Sequence, residues 1–347
     1  MNDIPTPDQP VVTFAEATDP GTLRKENQDS VLQVRTALGE ISIVADGMGG
    51  YEGGAVASRM VVAGFSEHLA SLPADYPADS AIREASALAN GNVLAAANAP
   101  GSSHRRMGST VVVALVQQDA LETRAWIGHV GDSRAYLVRA GVMSRLTNDH
   151  SQVQLLISSN LITPEEAGSH PDASVLTRCL GHHPEVEIDI KAVLLVAGDT
   201  LLLCSDGLWG YVAEEDIETV AANPNLTVDG AARAMLDLAL VAGGHDNIGI
   251  ELVRLSAPPR HGSGRRYAAA QTREIWRSCP LGAESRRLGR ACLVCDHPSL
   301  AGYNAASAMR LKCGGRRISR EMRFARLESN FGKAPRCQAS WSYCWDP

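Results

Sequence analysis

Residues 110–146 read TVVVALVQQDALETRAWIGHVGDSRAYLVRAGVMSRL, and this stretch decides the fold class. The apolar and β-branched runs at Thr110–Val116, Leu121–Val130 and Ala135–Val138 are typical of strands. Arg139-Ala140-Gly141 follows the third run and predicts a hairpin turn. Strands that follow one another this closely imply antiparallel pairing, which argues against a doubly wound parallel sheet.

The pattern continues on both sides of this stretch, up to about residue 256. Helices grouped around antiparallel sheets indicate an α+β layered domain. Strands are predicted at Glu40–Val44, Thr200–Cys204 and Gly249–Leu255, and helices at Ala55–Leu72, Ser80–Ala97, Glu214–Ala222 and Val228–Val241. The segment Ser151–Gly181 is more polar and has only short helix signals, so we expect a flap there.

The chain divides near Ser256 into two parts of opposite charge. Residues 1–256 hold 15 Lys and Arg against 33 Asp and Glu, whereas residues 257–347 hold 17 against 6. We predict a short tail over residues 1–9, one domain over 10–256 and a basic, Cys- and Arg-rich extension over 257–347. Only two of the eight cysteines precede residue 257, which favours a disulfide-free cytoplasmic protein. Neither a signal peptide nor an apolar run of bilayer length is present, so no membrane association is expected.

The extension over residues 257–347 permits four interpretations. Its positive charge is compatible with an arm for nucleic acid or an acidic partner, although no nucleic-acid-binding motif is present. A zinc site is a second interpretation, with ligands drawn from Cys292, Cys295, His297, Cys313 and Cys337. Docking against the acidic domain is a third. We favour the fourth, a disordered or non-native extension, because hydrophobic periodicity fails after residue 256.

Acidic residues recur beside small or amide residues near the ends of apolar runs. Carboxylates that converge without compensating lysines are costly unless a cation lies between them, and oxygen ligands favour Mg²⁺ or Mn²⁺ over Zn²⁺. The positions are Asn27-Gln28-Asp29, Asp46-Gly47, Gly131-Asp132, Ser205-Asp206 and Asp246-Asn247. Asp-Gly pairs are also common in turns, but three matching placements, Asp46, Asp206 and Asp246, weaken that explanation.

Individual positions carry further expectations. We predict that the strand before Asp46 ends there and that Gly47 allows a sharp turn. Asp132 fits an accessory metal site or a turn cap equally well. Arg24 can meet phosphate oxygens with its planar fork. The histidines have no metal-ligand spacing, so structural roles are expected for them: an ordered loop at His150, and no chemistry at His104, His129, His182, His183 and His245.

At this point the sequence resembles a known family, the metal-dependent Ser/Thr protein phosphatases of the protein phosphatase 2C (PPM) family, in its compact bacterial form. The resemblance covers roughly residues 10–256 and rests on motifs in family order. They are RKENQDS (24–30), VADGMGGYEGGAVAS (44–58), MGSTVV (107–112), GDSRAYLVRAG (131–141), LTNDHS (146–151), LLLCSDGLW (201–209) and GGHDNIGI (243–250).

The resemblance implies a fold, a chemistry and a set of site residues. The fold is two antiparallel sheets sandwiched between helices, with two Mn²⁺ or Mg²⁺ ions at one edge and a third at Asp132. The ions would activate water for hydrolysis of phosphoserine and phosphothreonine. Asp46 would bridge both ions, with Gly47, Asp206 and Asp246 as further ligands, Asp29 supporting bound waters and Arg24 binding phosphate. Partners would be phosphoproteins, with a Ser/Thr kinase as antagonist, and the chain is expected to be monomeric.

Two departures from the family pattern leave alternatives open. Met48 stands where animal members often have a histidine proposed to protonate the leaving group; a thioether has no proton to give, so a metal-bound water or another group must supply it. Gln28 replaces a common glutamate, which removes one charge near the metals. A pseudo-phosphatase that binds phosphoproteins without turnover is therefore an alternative function, and a regulator with a nucleic-acid-binding tail is another. The presence of all the expected carboxylates favours the active enzyme.

Overall fold

The computed structural model describes residues 10–50, 53–258, 309–313 and 316–320. Within the described chain, two antiparallel sheets hold eleven of the strands. The first sheet has the order β2-β3-β5-β6-β9, with the short β4 paired to β3. Its strands are β2 (Asp29–Arg35), β3 (Glu40–Met48), β4 (Gly108–Ser109), β5 (Val111–Gln118), β6 (Thr123–Val130) and β9 (Asp189–Leu195).

The second sheet has the order β1-β11-β10-β7-β8. Its strands are β1 (Val11–Asp19), β7 (Arg134–Arg139), β8 (Val142–Arg145), β10 (Thr200–Cys204) and β11 (Ile248–Ser256). The turn between β7 and β8 is the predicted hairpin, with positive φ at Ala140 and Gly141. The helices are α1 (Gly53–Ser71), α2 (Ala78–Ala97), α3 (Gln152–Ser158), α4 (Pro164–Ala167), α5 (Asp206–Trp209), α6 (Glu214–Ala221) and α7 (Val228–Val241).

Three apolar clusters define four layers. Helices α1 and α2 pack on the outer face of the first sheet through residues such as Phe65 and Ile82. The two sheets pack against each other through a middle cluster that includes Val112 and Leu203. Helices α6 and α7 cover the outer face of the second sheet, where Met235 is fully buried. The predicted arrangement of two antiparallel sheets between helices is therefore confirmed.

Of the eleven strands in these two sheets, the sequence did not predict β1, β2, β9 or the two-residue β4; β1, β2 and β9 lie at the edges of their sheets. Edge strands bury one face at most, and their residues here are mainly half-buried or exposed, so their apolar pattern is weak. The prediction that β3 ends at Asp46 was wrong. Gly47 and Met48 pair with Ser109 and Gly108 of β4, which extends the strand by two residues.

The segment between β8 and β9 lies on the surface, as a flap requires. Ser151 caps α3 by accepting a hydrogen bond from the Gln154 amide, and no residue of α3 is buried. Thr163 and Glu166 form a reciprocal capping box around α4. The segment is joined to the body near its ends by β-bridges from Ser151 to Leu176 and from Ser109 to Leu180.

The chain divides into two units, Met1–Gly262 and Ser263–Pro347. Within the second unit, β12 (Met309–Cys313) and β13 (Arg316–Arg320) pair antiparallel. The predicted N-terminal tail over residues 1–9 and the zinc candidates Cys292, Cys295, His297 and Cys337 lie outside the described residues. Among the helices that the structure describes, none has the length and apolarity needed to cross a membrane.

A buried carboxyl group lies between the two sheets. Glu251 of β11 is fully inaccessible, and neither of its carboxylate oxygens has a well-directed hydrogen bond. Its polar neighbours are Ser42 of β3 and Glu16 of β1. Burial, with a further contribution from the Glu16 carboxylate, raises the pKa of Glu251 to about 9. The side chain is therefore neutral in the folded protein at pH values where it is ionised in the unfolded chain.

We expect Glu251 to make the free energy of unfolding fall between about pH 4.5 and about pH 9. An acid whose pKa is raised by folding makes its full contribution to stability below its unfolded pKa, and that contribution is lost as the pH rises to the folded pKa. Glu251→Gln should match the wild type within about 1 kcal/mol at pH 5 and exceed it by about 4 kcal/mol at pH 8.5, since each unit by which folding raises the pKa is worth about 1.4 kcal/mol. Urea unfolding in excess Mg²⁺ would measure the free energy of unfolding at both pH values, with Glu67→Gln, a change at an exposed glutamate, as the control. If the free energies of Glu251→Gln and the wild type changed in parallel with pH, the expectation would be contradicted.

Candidate metal centre

Two neighbouring strands place Asp29 and Asp46 directly opposite each other. Asp29 begins β2 and is paired in register with Asp46 of β3. Ser205 Oγ donates a hydrogen bond to Asp29 Oδ2 at 2.5 Å, whereas the buried Asp29 Oδ1 accepts none. Burial raises the pKa of Asp29 to about 7, and the pKa of Asp46 is raised well above its usual range by burial and by the surrounding carboxylates.

Gly47 holds the first turn of α1 against β3. A Cβ on Gly47 would lie 2.0 Å from the Gly54 carbonyl oxygen and 2.8 Å from that of Gln28. The Gly47 amide donates to the Gln28 carbonyl at 3.1 Å. Close backbone approach, not a turn, is therefore the reason for glycine here. The turn follows at Gly49 and Gly50, which have φ values of 124° and 79°.

Asp206 and Asp246 approach from the second sheet. Asp206 begins α5 directly after β10, and Asp246 lies in the loop between α7 and β11. A Cβ on Gly207 would lie 1.9 Å from the Asn247 carbonyl oxygen, so the two segments are in close contact. Burial, together with the charges of Asp132 and Asp246, raises the pKa of Asp206 well above its usual range.

Asn247 fixes the loop that carries Asp29, a role that the sequence did not indicate. Its side-chain oxygen accepts from the Gln28 amide at 2.9 Å. Its side-chain nitrogen donates to the carbonyls of Pro20 and Glu26 at 2.9 and 3.0 Å. A buried asparagine whose oxygen and nitrogen are both satisfied by one loop holds that loop in place. The Asp246-Asn247 pair before β11 is the signal in the sequence that could have suggested this role.

Arg24 lies at the rim of the carboxylate group. Its Nη2 donates to Asp246 Oδ2 at 2.6 Å, and 53% of its side chain is exposed. The guanidinium therefore has one side on a predicted metal ligand and the other open to solvent, where a phosphate could approach. All seven residues predicted for the site, namely Arg24, Asp29, Asp46, Gly47, Asp132, Asp206 and Asp246, are brought to one region.

A cavity of about 290 Å³ opens beside these carboxylates. Asp46, Asp132 and Asp206 line it, and the end of the flap segment contributes Ser174, Leu176, Cys179 and His182. Asp132 follows β6 and is 9% exposed. Burial raises its pKa to about 6, and the Asp149 carboxylate adds to that shift. One wall of the cavity is therefore formed by three carboxylates.

The donor set fits hard divalent cations. Side-chain carboxylates supply it, and the Gly47 carbonyl lies beside them, which is the oxygen environment that Mg²⁺ and Mn²⁺ prefer. Burial and, after it, the neighbouring carboxylates raise the pKa values of Asp46 and Asp206, and bound cations would offset both effects. Asp29 Oδ1 is a buried oxygen that no donor satisfies, as expected for an atom that faces a bound ion or its water.

Comparison with known proteins agrees with this site. Residues 24–231 match the protein phosphatase 2C family. The chain belongs to that family. It is 37% identical over 240 residues to the serine/threonine protein phosphatase PstP of Mycobacterium tuberculosis, a match covering 69% of this chain and 44% of PstP. This chain therefore spans less than half the length of that relative.

Solved structures of protein phosphatase 2C enzymes show the same fold. The serine/threonine phosphatase of S. agalactiae has a TM-score of 0.66 and 32% identity, and the match covers 71% of this chain and all of that one. The catalytic domain of PstP in complex with two manganese ions has a TM-score of 0.62 and 32% identity, over 71% of this chain and 99% of that one.

The two departures from the protein phosphatase 2C pattern have clear places in the structure. Met48 lines the cavity beside Asp46, so a side chain without an exchangeable proton faces the substrate space. Gln28 packs against the first turn of α1, since a Cβ on Gly54 would lie 2.8 Å from Gln28 Oε1. Its amide nitrogen also approaches the Gly50 carbonyl at 3.4 Å. Gln28 therefore supports the loop that carries the predicted ligands.

A second cluster of metal-ligand residues lies beneath the same protein phosphatase 2C motif that carries Asp132. His129 and His150 stack with their ring centroids 4.6 Å apart, and His150 Nε2 lies 3.2 Å from Asp189 Oδ2. Among the described residues, His129, His150 and Asp189 are the group whose possible metal-ligand atoms all lie within 4.8 Å of one another. However, His150 Nδ1 accepts from the Gly131 amide at 3.2 Å, so its Nε2 carries the proton and donates to Asp189. His129 Nε2 donates to the Asn148 carbonyl at 2.8 Å, so the hydrogen bonds of both imidazoles brace the loop that carries Asp132.

Proposed function

We propose that this chain is a metal-dependent phosphoprotein phosphatase that hydrolyses phosphoserine and phosphothreonine. The observation that carries the proposal is the group of buried and half-buried aspartates at one cavity, with Arg24 ion-paired to Asp246 at the edge of that group. The membership of the protein phosphatase 2C family supports it. The physiological antagonist would be a bacterial Ser/Thr kinase. The cytoplasmic location and the monomeric state stay predictions from the sequence.

In this proposal Asp46, Gly47, Asp206 and Asp246 hold two Mn²⁺ or Mg²⁺ ions, and Asp132 holds a third. Bound divalent ions supply hydroxide near neutral pH and offset negative charge that develops at phosphorus. Asp29 orients bound water from its buried position between Ser205 and Asp46. Ser205 Oγ, which accepts from the Gly249 amide at 2.9 Å and donates to Asp29, fixes the direction of that carboxylate.

Arg24 would bind the phosphoryl group of the substrate. Its guanidinium presents several N–H donors in one plane, which suits bidentate contact with two phosphate oxygens. Because Asp246 accepts from Nη2, the head group is held beside a proposed metal ligand before substrate arrives. This pre-positioning lowers the entropy cost of aligning phosphorus with the attacking water.

We expect turnover to depend on a divalent metal. The full chain should hydrolyse a phosphoserine peptide with Mn²⁺, lose that activity in EDTA, and regain it when Mn²⁺ is restored in excess. A phosphotyrosine peptide of the same sequence tests the substrate class, and phosphate release measures each rate. Full activity in EDTA would overturn the metal-dependent mechanism.

The alternative pseudo-phosphatase makes a different prediction for the same sample. It would bind the phosphoserine peptide in the presence of Mn²⁺ without releasing phosphate. Fluorescence anisotropy of a labelled peptide, run beside the phosphate assay, separates the two functions. Binding without turnover over several hours would favour the alternative and contradict the proposed enzyme.

A further inference from the structure

The hydrolysis of a phosphoserine ester requires a proton for its leaving group. The bond between phosphorus and the ester oxygen breaks with its electron pair on that oxygen, and a serine alkoxide is a strong base. A positioned general acid accelerates such a step by typically about 10²–10⁴-fold. Met48, which lines the cavity beside Asp46, has no proton to supply.

Of the polar side chains around the cavity, His182 is the suitable donor. The Ser174 hydroxyl is a weaker acid than a thiol. In the proposed function Asp46, Asp132 and Asp206 are occupied by metal, so they are ionised and hold no proton. Burial raises the pKa of the Cys179 thiol to about 11, which makes it a weak acid. His182 lines the same cavity, and its side chain is exposed to solvent, from which it can be reprotonated. Imidazole exchanges protons near neutral pH, as general acid catalysis requires.

The position of His182 is built into the fold. Met48 pairs with Gly108 in the β3–β4 register. A Cβ on Gly108 would lie 2.9 Å from His182 Nε2, so the imidazole occupies the space that a side chain on Gly108 would need. The His182 ring therefore lies over Gly108, the residue paired with Met48, beside the strand β3 that carries Asp46.

The backbone that leads to His182 is anchored to the body of the domain. Ser109 and Leu180 exchange two backbone hydrogen bonds, of 3.0 and 2.8 Å. The Gly181 amide donates to Asn90 Oδ1 of α2 at 2.7 Å in a buried setting. His182 Nε2 lies 3.2 Å from the Arg106 carbonyl oxygen. An imidazolium has two N–H groups, so the Nε2–H can donate to the Arg106 carbonyl while the Nδ1–H is left for a substrate.

We propose that His182 is a catalytic residue that donates the proton to the leaving serine or threonine oxygen; this inference rests on the proposed function. The attacking water gives its oxygen to phosphorus and its proton to solvent. The ester oxygen takes the electron pair of the broken bond and the proton from His182, which forms the free hydroxyl. The imidazole then regains a proton from solvent, so the residue is unchanged over the cycle.

The test compares leaving groups of different basicity on the full chain with Mn²⁺. His182→Asn should lower kcat on a phosphoserine peptide by about 10²-fold. On p-nitrophenyl phosphate, whose leaving group needs no proton, kcat should change by less than about threefold, since the acid contributes little there. Across a series of aryl phosphates, the variant's kcat should fall more steeply as the leaving group becomes more basic. KM should stay close to the wild-type value on each substrate.

The control is His183→Asn, an exposed neighbour that does not line the cavity and should keep wild-type rates on both substrates. Equal losses on both substrates in His182→Asn would show a positioning or structural role and overturn the proposal, as would no loss on either. His182→Gln provides a second variant if the first folds poorly, judged by circular dichroism. A wild-type chain inactive on both substrates with Mn²⁺ would instead overturn the proposed function.

Discussion

Asp46→Asn should lower kcat on a phosphoserine peptide by on the order of 10³-fold or more, because it removes the carboxylate proposed to bridge both metal ions. Asp46 has carboxylates around it on several sides, since Asp29, Asp132, Asp206 and Asp246 all contribute to its raised pKa. An amide oxygen is a weaker ligand and cannot bridge two cations with a full negative charge. The loss should appear in kcat and persist at saturating peptide.

The same variant should be no less stable than the wild type when metal is removed. In EDTA the Asp46 carboxyl is buried among other carboxylates, which raises its pKa, and the uncharged amide of Asp46→Asn avoids both the cost of burial and the repulsion. In Mn²⁺ the wild type should gain thermal stability by mass action, while the variant should gain much less. Thermal unfolding in EDTA and in Mn²⁺ measures both effects. Unchanged or higher stability in EDTA together with a smaller gain in Mn²⁺ distinguishes loss of a metal ligand from general damage to the fold.

The control for Asp46→Asn is Asp237→Asn, an equal change of charge on the exposed face of α7. It should leave kcat and both unfolding curves unchanged. If Asp46→Asn kept more than about a tenth of the wild-type kcat, Asp46 could not be the bridging ligand, since loss of even one electrostatic contact to the transition state costs more.

The sequence predicted the interior of this fold better than its edges. Central strands such as β5 and β10 are buried along nearly their whole length, so each reads as an uninterrupted apolar run. The edge strands β1, β2 and β9 have mixed burial, and their pairing depends on contacts that no local pattern records. Missing β2 had a consequence for the site, because the register that places Asp29 opposite Asp46 is a property of that strand.

The candidate site was predicted as a set of residues but not as an arrangement. Oxygen ligands beside glycines indicated a metal, whereas the reasons for those glycines came only from the structure. Gly47 was expected to allow a turn, yet its role is close contact with Gly54 of α1. His182 was expected to have no chemical role, and the contact on which the proposal for it rests joins residues 74 positions apart in sequence.

Gly207→Ala should disrupt the site while leaving every proposed ligand in the sequence. The added Cβ would lie 1.9 Å from the Asn247 carbonyl oxygen and 2.8 Å from its carbonyl carbon, and both are backbone atoms. Backbone cannot rotate away as a side chain can, so α5 and the Asp246 loop would have to separate by about 1 Å. Such overpacking typically costs about 1–3 kcal/mol of unfolding free energy.

The separation should also weaken metal binding and catalysis, because Asp206 begins the helix on one side of this contact and Asp246 lies on the other. Misplacement by about 1 Å can lower a rate by about 10²-fold. Mn²⁺ titration should show a higher concentration for half-maximal activity, and excess Mn²⁺ should recover part of kcat. Asp46→Asn should show no such recovery, since it has lost a ligand and not merely the spacing between ligands.

The matched control is Gly91→Ala, the same substitution in α2, where a Cβ would meet nothing within 4 Å. It should be neutral or stabilising by about 0.4–1 kcal/mol, because alanine reduces the freedom of the unfolded chain. If Gly207→Ala matched this control in unfolding free energy and in Mn²⁺ dependence, the contact between α5 and Asn247 would not determine the spacing of Asp206 and Asp246. If Gly207→Ala lost stability but kept the wild-type Mn²⁺ dependence, Gly207 would have a packing role that is separate from the metal centre. The spacing of Asp206 and Asp246 would then be determined by Asn247 and its hydrogen bonds to the Asp29 loop.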